Sequence, residues 1–163
     1  MSRVKLLVNQ LAFTFNEEGW YPPLEEALTG LTAAQASWRP TGEAANSIWE
    51  TVNHLIFYKE RWLERMKGNE PTSEINDNTD TFTQGETTDE KAWQETVEKL
   101  RAIQKEWHEI ISTTKEEDLD QKFSTTPLWM QFSNLILHDA YHTGQIISIR
   151  KLQGSWPSRR SYT

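Results

Sequence analysis

Two histidines four residues apart, His138 and His142, carry the clearest chemical signal in this sequence. On an α-helix, residues with this spacing differ by about 40° in azimuth and about 6 Å in height, so both imidazole rings can reach one metal ion. The apolar residues Leu135, Ile146 and Ile149 define a predicted buried stripe that includes both histidines. A buried imidazole needs a polar partner, and one shared ion would serve both rings. Two ordinary helix histidines are the alternative.

A metal site of this kind needs a third ligand, and the chain has four histidines and no cysteine. Ser47 and Glu50 have the S-x-x-E spacing of a capping box, which predicts a helix start about two turns before His54. His54 lies about 120° from the centre of the predicted buried stripe and would face a groove beside a neighbouring helix. The residues alone therefore leave its role open. His108 flanks the stripe of a helix rich in lysine and glutamate, and we interpret it as a solvated or ion-paired histidine.

In this order, the motifs resemble those of the DinB-like superfamily of bacterial four-helix proteins. The resemblance extends from about Leu24 to Pro157. The matching elements are Ser47-Ile48-Trp49-Glu50 before His54, then His138-x3-His142-Thr143-Gly144-Gln145-Ile146, and finally Gly154-Ser155-Trp156-Pro157.

The resemblance implies that His54, His138 and His142 hold one divalent metal ion per chain. It also implies a homodimer. The superfamily includes enzymes that transfer low-molecular-weight thiols such as bacillithiol or mycothiol, and members described as metal-dependent hydrolases. Many members have no assigned activity, so a non-catalytic, stress-associated metal-binding protein is a further alternative.

Three neutral histidines would leave a coordination position open for water or a small-molecule substrate. Zinc or nickel suits imidazole nitrogen best, and cobalt and iron are alternatives. The ion would lower the pKa of a bound water or a bound thiol, which supports either hydrolysis or thiol transfer. Because the chain has no cysteine, any thiol must come from outside.

Three further residues are catalytic candidates. Asp139 invites comparison with the glutamate base of the zinc-protease motif H-E-x-x-H, but its side chain is one methylene shorter, so we interpret it as a supporting or packing residue. Gln145 lies about one turn beyond His142, near the same helix face, and could orient a ligand or donate a hydrogen bond to a metal-bound oxygen. Tyr58 lies one turn beyond His54. Because a hydrolase needs a nearby base and the reach of Asp139 is short, thiol-dependent transfer is slightly favoured over hydrolysis.

Composition limits the class of protein and of partner. A chain of 163 residues predicts a single domain over residues 1–163. The net charge is −7, which should repel phosphate backbones and argues against a nucleic-acid partner. No apolar run approaches membrane-spanning length and no signal-peptide core is evident, so we expect no membrane partner and a cytoplasmic location.

Apolar residues at helical spacing predict an all-α fold with long helices near residues 4–15, 47–66, 88–112 and 127–153. Pro22 and Pro23 should interrupt the first helix and begin a second short piece. Residues 68–87 are polar and rich in turn formers, which predicts a long, solvated crossover between the second and third long helices. Together with the resemblance, this pattern predicts a four-helix bundle.

Overall fold

A computed structural model describes residues 2–71, 75–85 and 89–160. Two short 3₁₀ turns lie at Asn78–Thr81 and Glu116–Asp120, and the strands β1 (Lys122–Phe123) and β2 (Thr126–Pro127) form a small antiparallel pair. The helices are α1 (Arg3–Phe15), α2 (Leu24–Leu28), α3 (Ala33–Ser37), α4 (Ile48–Met66), α5 (Glu90–Thr113) and α6 (Leu128–Leu152). The four long helices, α1, α4, α5 and α6, pack as a bundle, which confirms the predicted all-α fold.

Local sequence signals account for the ends of α4 and α6. The Ser47 hydroxyl accepts the Glu50 N–H at 3.1 Å and the Glu50 carboxylate accepts the Ser47 N–H at 2.7 Å, so the predicted capping box is present. Pro127 directly precedes α6, where its missing N–H costs no helical hydrogen bond. Gly154 follows α6 with a φ of +77°, a conformation that favours glycine. Both helices therefore begin and end within one residue of their predicted limits.

The third long helix, α5, is capped by Asp89, whose carboxylate accepts the Ala92 N–H at 2.8 Å. Its predicted start, Thr88, lies outside the described residues. The connection from α5 to α6 contains the second 3₁₀ turn and the strand pair. With two residues in each strand, this hairpin closes the connection to α6 and leaves the helical class unchanged.

The predicted crossover joins two neighbouring helices that run in the same direction. Near the start of both helices, the Trp49 indole N–H of α4 donates to the Thr96 hydroxyl of α5 at 3.1 Å. Farther along, the Lys59 ammonium donates to the Gln104 amide oxygen at 2.9 Å. Residue numbers thus rise together along α4 and α5, which are parallel. The chain must therefore return along the bundle between them, and this confirms the long crossover.

The core is formed by one apolar face of each long helix. Val52 and Leu55 of α4, Leu100 of α5, and Phe132 and Ile146 of α6 are each at most 1% exposed. Their burial follows the helical spacing read in the sequence. Within the described ranges, no helix combines the length and hydrophobicity needed to cross a lipid bilayer.

Candidate metal centre

Helices α4 and α6 run antiparallel and bring the three predicted ligands together. His54 lies two turns into α4, and its side chain is 2% exposed. His142 is 4% exposed, whereas His138 is only partly buried. Placing both α6 histidines in the buried stripe was therefore only partly correct. His138 keeps some exposure because it also lines a cavity between the helices.

The Nε2 atoms of the three rings converge. The His138 Nε2 lies 3.0 Å from the His54 Nε2 and 3.0 Å from the His142 Nε2. One nitrogen from each ring lies within 4.8 Å of the other two. Nitrogens that share a tetrahedral zinc ion at about 2.0–2.1 Å lie about 3.3 Å apart. The spacing of the three imidazoles thus fits a common divalent ion.

Hydrogen bonds at the opposite ring nitrogens define the tautomers of two histidines. The Thr81 hydroxyl donates to the Asn78 carbonyl at 2.6 Å, so it accepts from the His54 Nδ1 at 2.5 Å. The Gln145 amide oxygen accepts from the His142 Nδ1 at 2.7 Å. Both Nδ1 atoms therefore carry the proton, and both Nε2 atoms present a lone pair.

These two lone pairs point at the same third nitrogen. The His138 Nε2 carries at most one proton as a neutral ring and can satisfy only one of its two neighbours. A cation among the three nitrogens would satisfy all of them at once. The donor set and its tautomers therefore suit a metal ion better than a hydrogen-bonded cluster.

The surroundings keep the imidazoles neutral. Burial, reinforced by the nearby His142 and His138, lowers the pKa of His54 to about 3. Burial, with His142 and Lys59 adding to it, lowers the pKa of His138 to about 4. Burial also lowers the pKa of His142, although its hydrogen bond to the Gln145 amide oxygen acts in the opposite direction. Neutral imidazole is the form that binds metal, so the rings are prepared for ligation at neutral pH.

The crossover supplies part of the wall of this centre. Phe82 stacks on the His54 ring with centroids 4.0 Å apart, and Thr81 is 3% exposed. The interpretation of the segment as simply solvated was therefore wrong for these two residues. They pack against α4 because the His54 ring needs both a flat apolar neighbour and an acceptor for its Nδ1 proton.

Tyr58 also contacts the cluster. Its ring meets the His54 ring edge-on at 5.0 Å and the His138 ring at 5.7 Å. Its hydroxyl donates to the Asn78 side-chain oxygen at 2.8 Å. Tyr58 thus lies beside the candidate ligands, with its hydroxyl engaged by the crossover.

The Asp139 carboxylate belongs to a different contact. It accepts from the Lys59 ammonium at 2.7 Å, and both side chains have no exposed surface. Lys59 is held in turn by the Gln104 amide oxygen. Burial raises the pKa of Asp139, and the charge of Lys59 opposes that shift. Asp139 is not in the histidine group, and its charge is committed to joining α4 to α6.

Sequence reasoning did not identify Lys59, Thr81 or Phe82 as parts of this region. Lys59 had a signal, because it follows Leu55 by one turn on the apolar face of α4, where a lysine requires a buried partner. Thr81 and Phe82 lie in a segment without apolar periodicity, which carries no such signal. His108 is exposed on α5, away from the histidine group.

Comparison with known proteins gives one match. No curated protein and no solved structure is significantly similar to this sequence. The family model described as the DinB superfamily matches residues 17–146, which is more than half of the chain and includes all three clustered histidines. The chain therefore belongs to the DinB superfamily.

Proposed function

We propose that this protein is a metal-dependent enzyme that transfers a low-molecular-weight thiol to an electrophilic substrate. One zinc or nickel ion is held by His54, His138 and His142. The observation that carries the proposal is the convergence of the three Nε2 atoms, with the His138 atom 3.0 Å from each of the others. Three imidazole ligands leave a coordination position open, which is typical of catalytic sites.

The protein's own part is to hold the ligands in one tautomer and one orientation. Thr81 and Gln145 accept the Nδ1 protons of His54 and His142, so their Nε2 atoms face the ion without rearrangement. Phe82 and Tyr58 restrict the His54 ring from two sides. When bound, a divalent ion lowers the pKa of a coordinated thiol or water.

The partners of Asp139 favour thiol transfer over hydrolysis. Its carboxylate is fully buried, is bound to Lys59 at 2.7 Å and lies outside the histidine group, so it is poorly placed to take a proton from a metal-bound water. Among the described residues, the histidine group that could hold a metal ion includes no carboxylate. A thiol of lowered pKa needs no protein base, because its proton passes to solvent.

The proposed reaction forms one bond and breaks another. The sulfur of the external thiol bonds to the electrophilic carbon of the second substrate. The leaving group departs with the electron pair of the broken bond, and the thiol proton goes to solvent. No net oxidation or reduction is required.

The test compares two substrate panels on metal-loaded protein. In one, cysteine or another small thiol reacts with 1-chloro-2,4-dinitrobenzene; in the other, nitrophenyl esters and amides are offered without thiol. Turnover that needs both thiol and metal, and that is lost in His142→Ala, is the expected result. Cleavage of esters without thiol would indicate a hydrolase. No turnover in either panel would indicate a non-catalytic metal-binding protein.

A further inference from the structure

A cavity of about 260 Å³ lies beside the candidate metal centre, between α4, α5, α6 and β1. His138 is the clustered histidine that lines it. Its walls are mainly apolar. The aromatic residues are Tyr58, Trp62, Trp107, Phe123 and Phe132.

The cavity extends away from His138 along two antiparallel helices. On α4, its lining residues Tyr58, Trp62 and Met66 follow one another at intervals of one turn. They span about 12 Å of helix, starting with Tyr58 beside the His138 ring. The cavity therefore has the His138 imidazole at one end, and Met66 of α4 with Gln131 of α6 at the other.

The inner walls are well ordered by their own contacts. Trp107 is 3% exposed, and its indole N–H donates to the Lys59 carbonyl at 3.2 Å. Phe132 is 1% exposed and meets the Trp107 ring edge-on. Trp62 packs against Phe123 with ring centroids 6.1 Å apart. A ligand would thus meet a preformed aromatic surface.

Formal charge is missing from this lining, although charged residues make up 25% of the chain. Among the described residues around the cavity there is no lysine, arginine, aspartate or glutamate. Its polar members besides Tyr58 and His138 are three amides, Asn78, Gln131 and Asn134. Asn78 is engaged by Tyr58, Gln131 bonds to the Thr126 hydroxyl, and Asn134 is exposed. A charged group inside would lose hydration without a counter-charge.

We propose that this cavity binds a neutral, ring-sized apolar group of the substrate, with the reacting end directed toward His138. This inference rests on the proposed function and names its substrate class. Cavities of about 300–1,000 Å³ hold drug-sized ligands, so the observed volume suits one aromatic ring with a short chain. Charged parts of either substrate lie outside the cavity.

The test uses chelators that share one metal-binding head. Acetohydroxamate, benzohydroxamate and 4-carboxybenzohydroxamate are titrated into zinc-loaded protein by calorimetry. Benzohydroxamate should bind at least about tenfold more tightly than acetohydroxamate, because its ring is removed from water. The 4-carboxy compound should lose at least about tenfold against benzohydroxamate, because the cavity offers its charge no partner.

Two tryptophan variants test whether the preference for benzohydroxamate comes from the cavity. Trp62→Ala removes a cavity wall and should reduce the preference for benzohydroxamate below about threefold, with acetohydroxamate affinity unchanged. Unchanged acetohydroxamate affinity also shows that the variant is folded and metal-loaded. Trp129→Ala, a partly exposed α6 residue outside the cavity, should keep the full preference. Equal affinity for the two neutral chelators, or a preference that survives Trp62→Ala, would overturn the inference.

Whether the protein binds zinc at all is measured separately. Zinc content is determined before any chelator is added, and protein that binds no zinc would contradict the proposed function. In that case benzyl alcohol, a neutral ring that needs no metal, is titrated by tryptophan fluorescence. Binding that is lost in Trp62→Ala and kept in Trp129→Ala would support the apolar cavity by itself. No binding of benzyl alcohol would overturn both proposals.

Discussion

The Lys59 ammonium lies 2.7 Å from the Asp139 carboxylate, and neither side chain is exposed. Lys59 follows His54 by five residues on α4, and Asp139 directly follows His138 on α6. The ion pair therefore joins the two helices next to the point where their histidines converge. One Asp139 oxygen, Oδ1, has no hydrogen-bond partner within the described chain, so the pair is also a costly arrangement.

Removing one member of this pair should destabilise the protein strongly. Lys59→Met leaves the Asp139 charge buried and should lower the free energy of unfolding by about 3–5 kcal/mol. Lys59→Met combined with Asp139→Leu should recover much of that loss, since no charge is then buried. Urea unfolding of metal-free protein measures both.

An exposed ion pair between α4 and α5 provides the control. Lys99 of α5 lies 2.9 Å from Glu60 of α4, with about half of each side chain exposed. Lys99→Met should change the free energy of unfolding by less than about 1 kcal/mol. If Lys59→Met costs no more than Lys99→Met, the buried pair has no special role in joining α4 to α6.

Each clustered histidine should be needed for metal binding. His54→Ala, His138→Ala and His142→Ala each remove one of three ligands. After loading with zinc and dialysis to remove the unbound zinc, all three variants should retain little metal. His108→Ala changes the exposed α5 histidine and should keep wild-type occupancy. Elemental analysis measures the ratio of metal to protein. Wild-type occupancy in any of the first three variants would remove that residue from the site.

The partner of the His54 Nδ1 should influence metal affinity without being a ligand. Thr81→Val removes the hydroxyl that accepts this proton and should weaken binding by about 10–100-fold. Thr83→Val makes the same change at an exposed position of the same segment and should have little effect. Competition with a chromophoric chelator gives both affinities. Equal affinities would mean that the Thr81 contact does not orient His54.

We expect a homodimer in which one apolar surface groove between α1 and α6 is covered. Phe13, Trp20 and Leu137 line one surface groove, and Leu137 and the neighbouring Tyr141 are each 64% exposed. Apolar surface of this kind is typical of protein interfaces. Leu137→Glu should therefore convert a dimer of about twice 19.1 kDa to monomer in light scattering. Leu152→Glu, which changes an exposed apolar α6 residue outside this groove, is the control and should leave the dimer intact. A wild-type monomer would contradict the prediction.

Local chemistry was sufficient to predict the helices and one edge of the candidate site. The Ser47–Glu50 capping box and the glycine at 154 act on their immediate neighbours, so they identify helix ends without knowledge of the fold. The four-residue interval between His138 and His142 likewise places both rings on one face of any helix that contains them.

The third member of the cluster depends on how two helices are rotated against each other. Its azimuth on the predicted helix placed His54 well away from the buried stripe. Only the family resemblance favoured His54 as a metal ligand. In the folded chain, α4 and α6 enclose His54 in the groove between them, where Phe82 covers it. That rotation results from the packing of all core side chains, which no local pattern encodes.

The directions of the supporting side chains were also decided by tertiary structure. The sequence placed Asp139 beside His138, but its carboxylate points to Lys59, 80 residues away in the chain. Thr81 reaches His54 across 27 residues, from a segment with no periodic pattern. A hydrogen bond between distant residues forms only when the fold brings donor and acceptor within about 3 Å, so it is a property of the packed molecule rather than of the sequence around either residue.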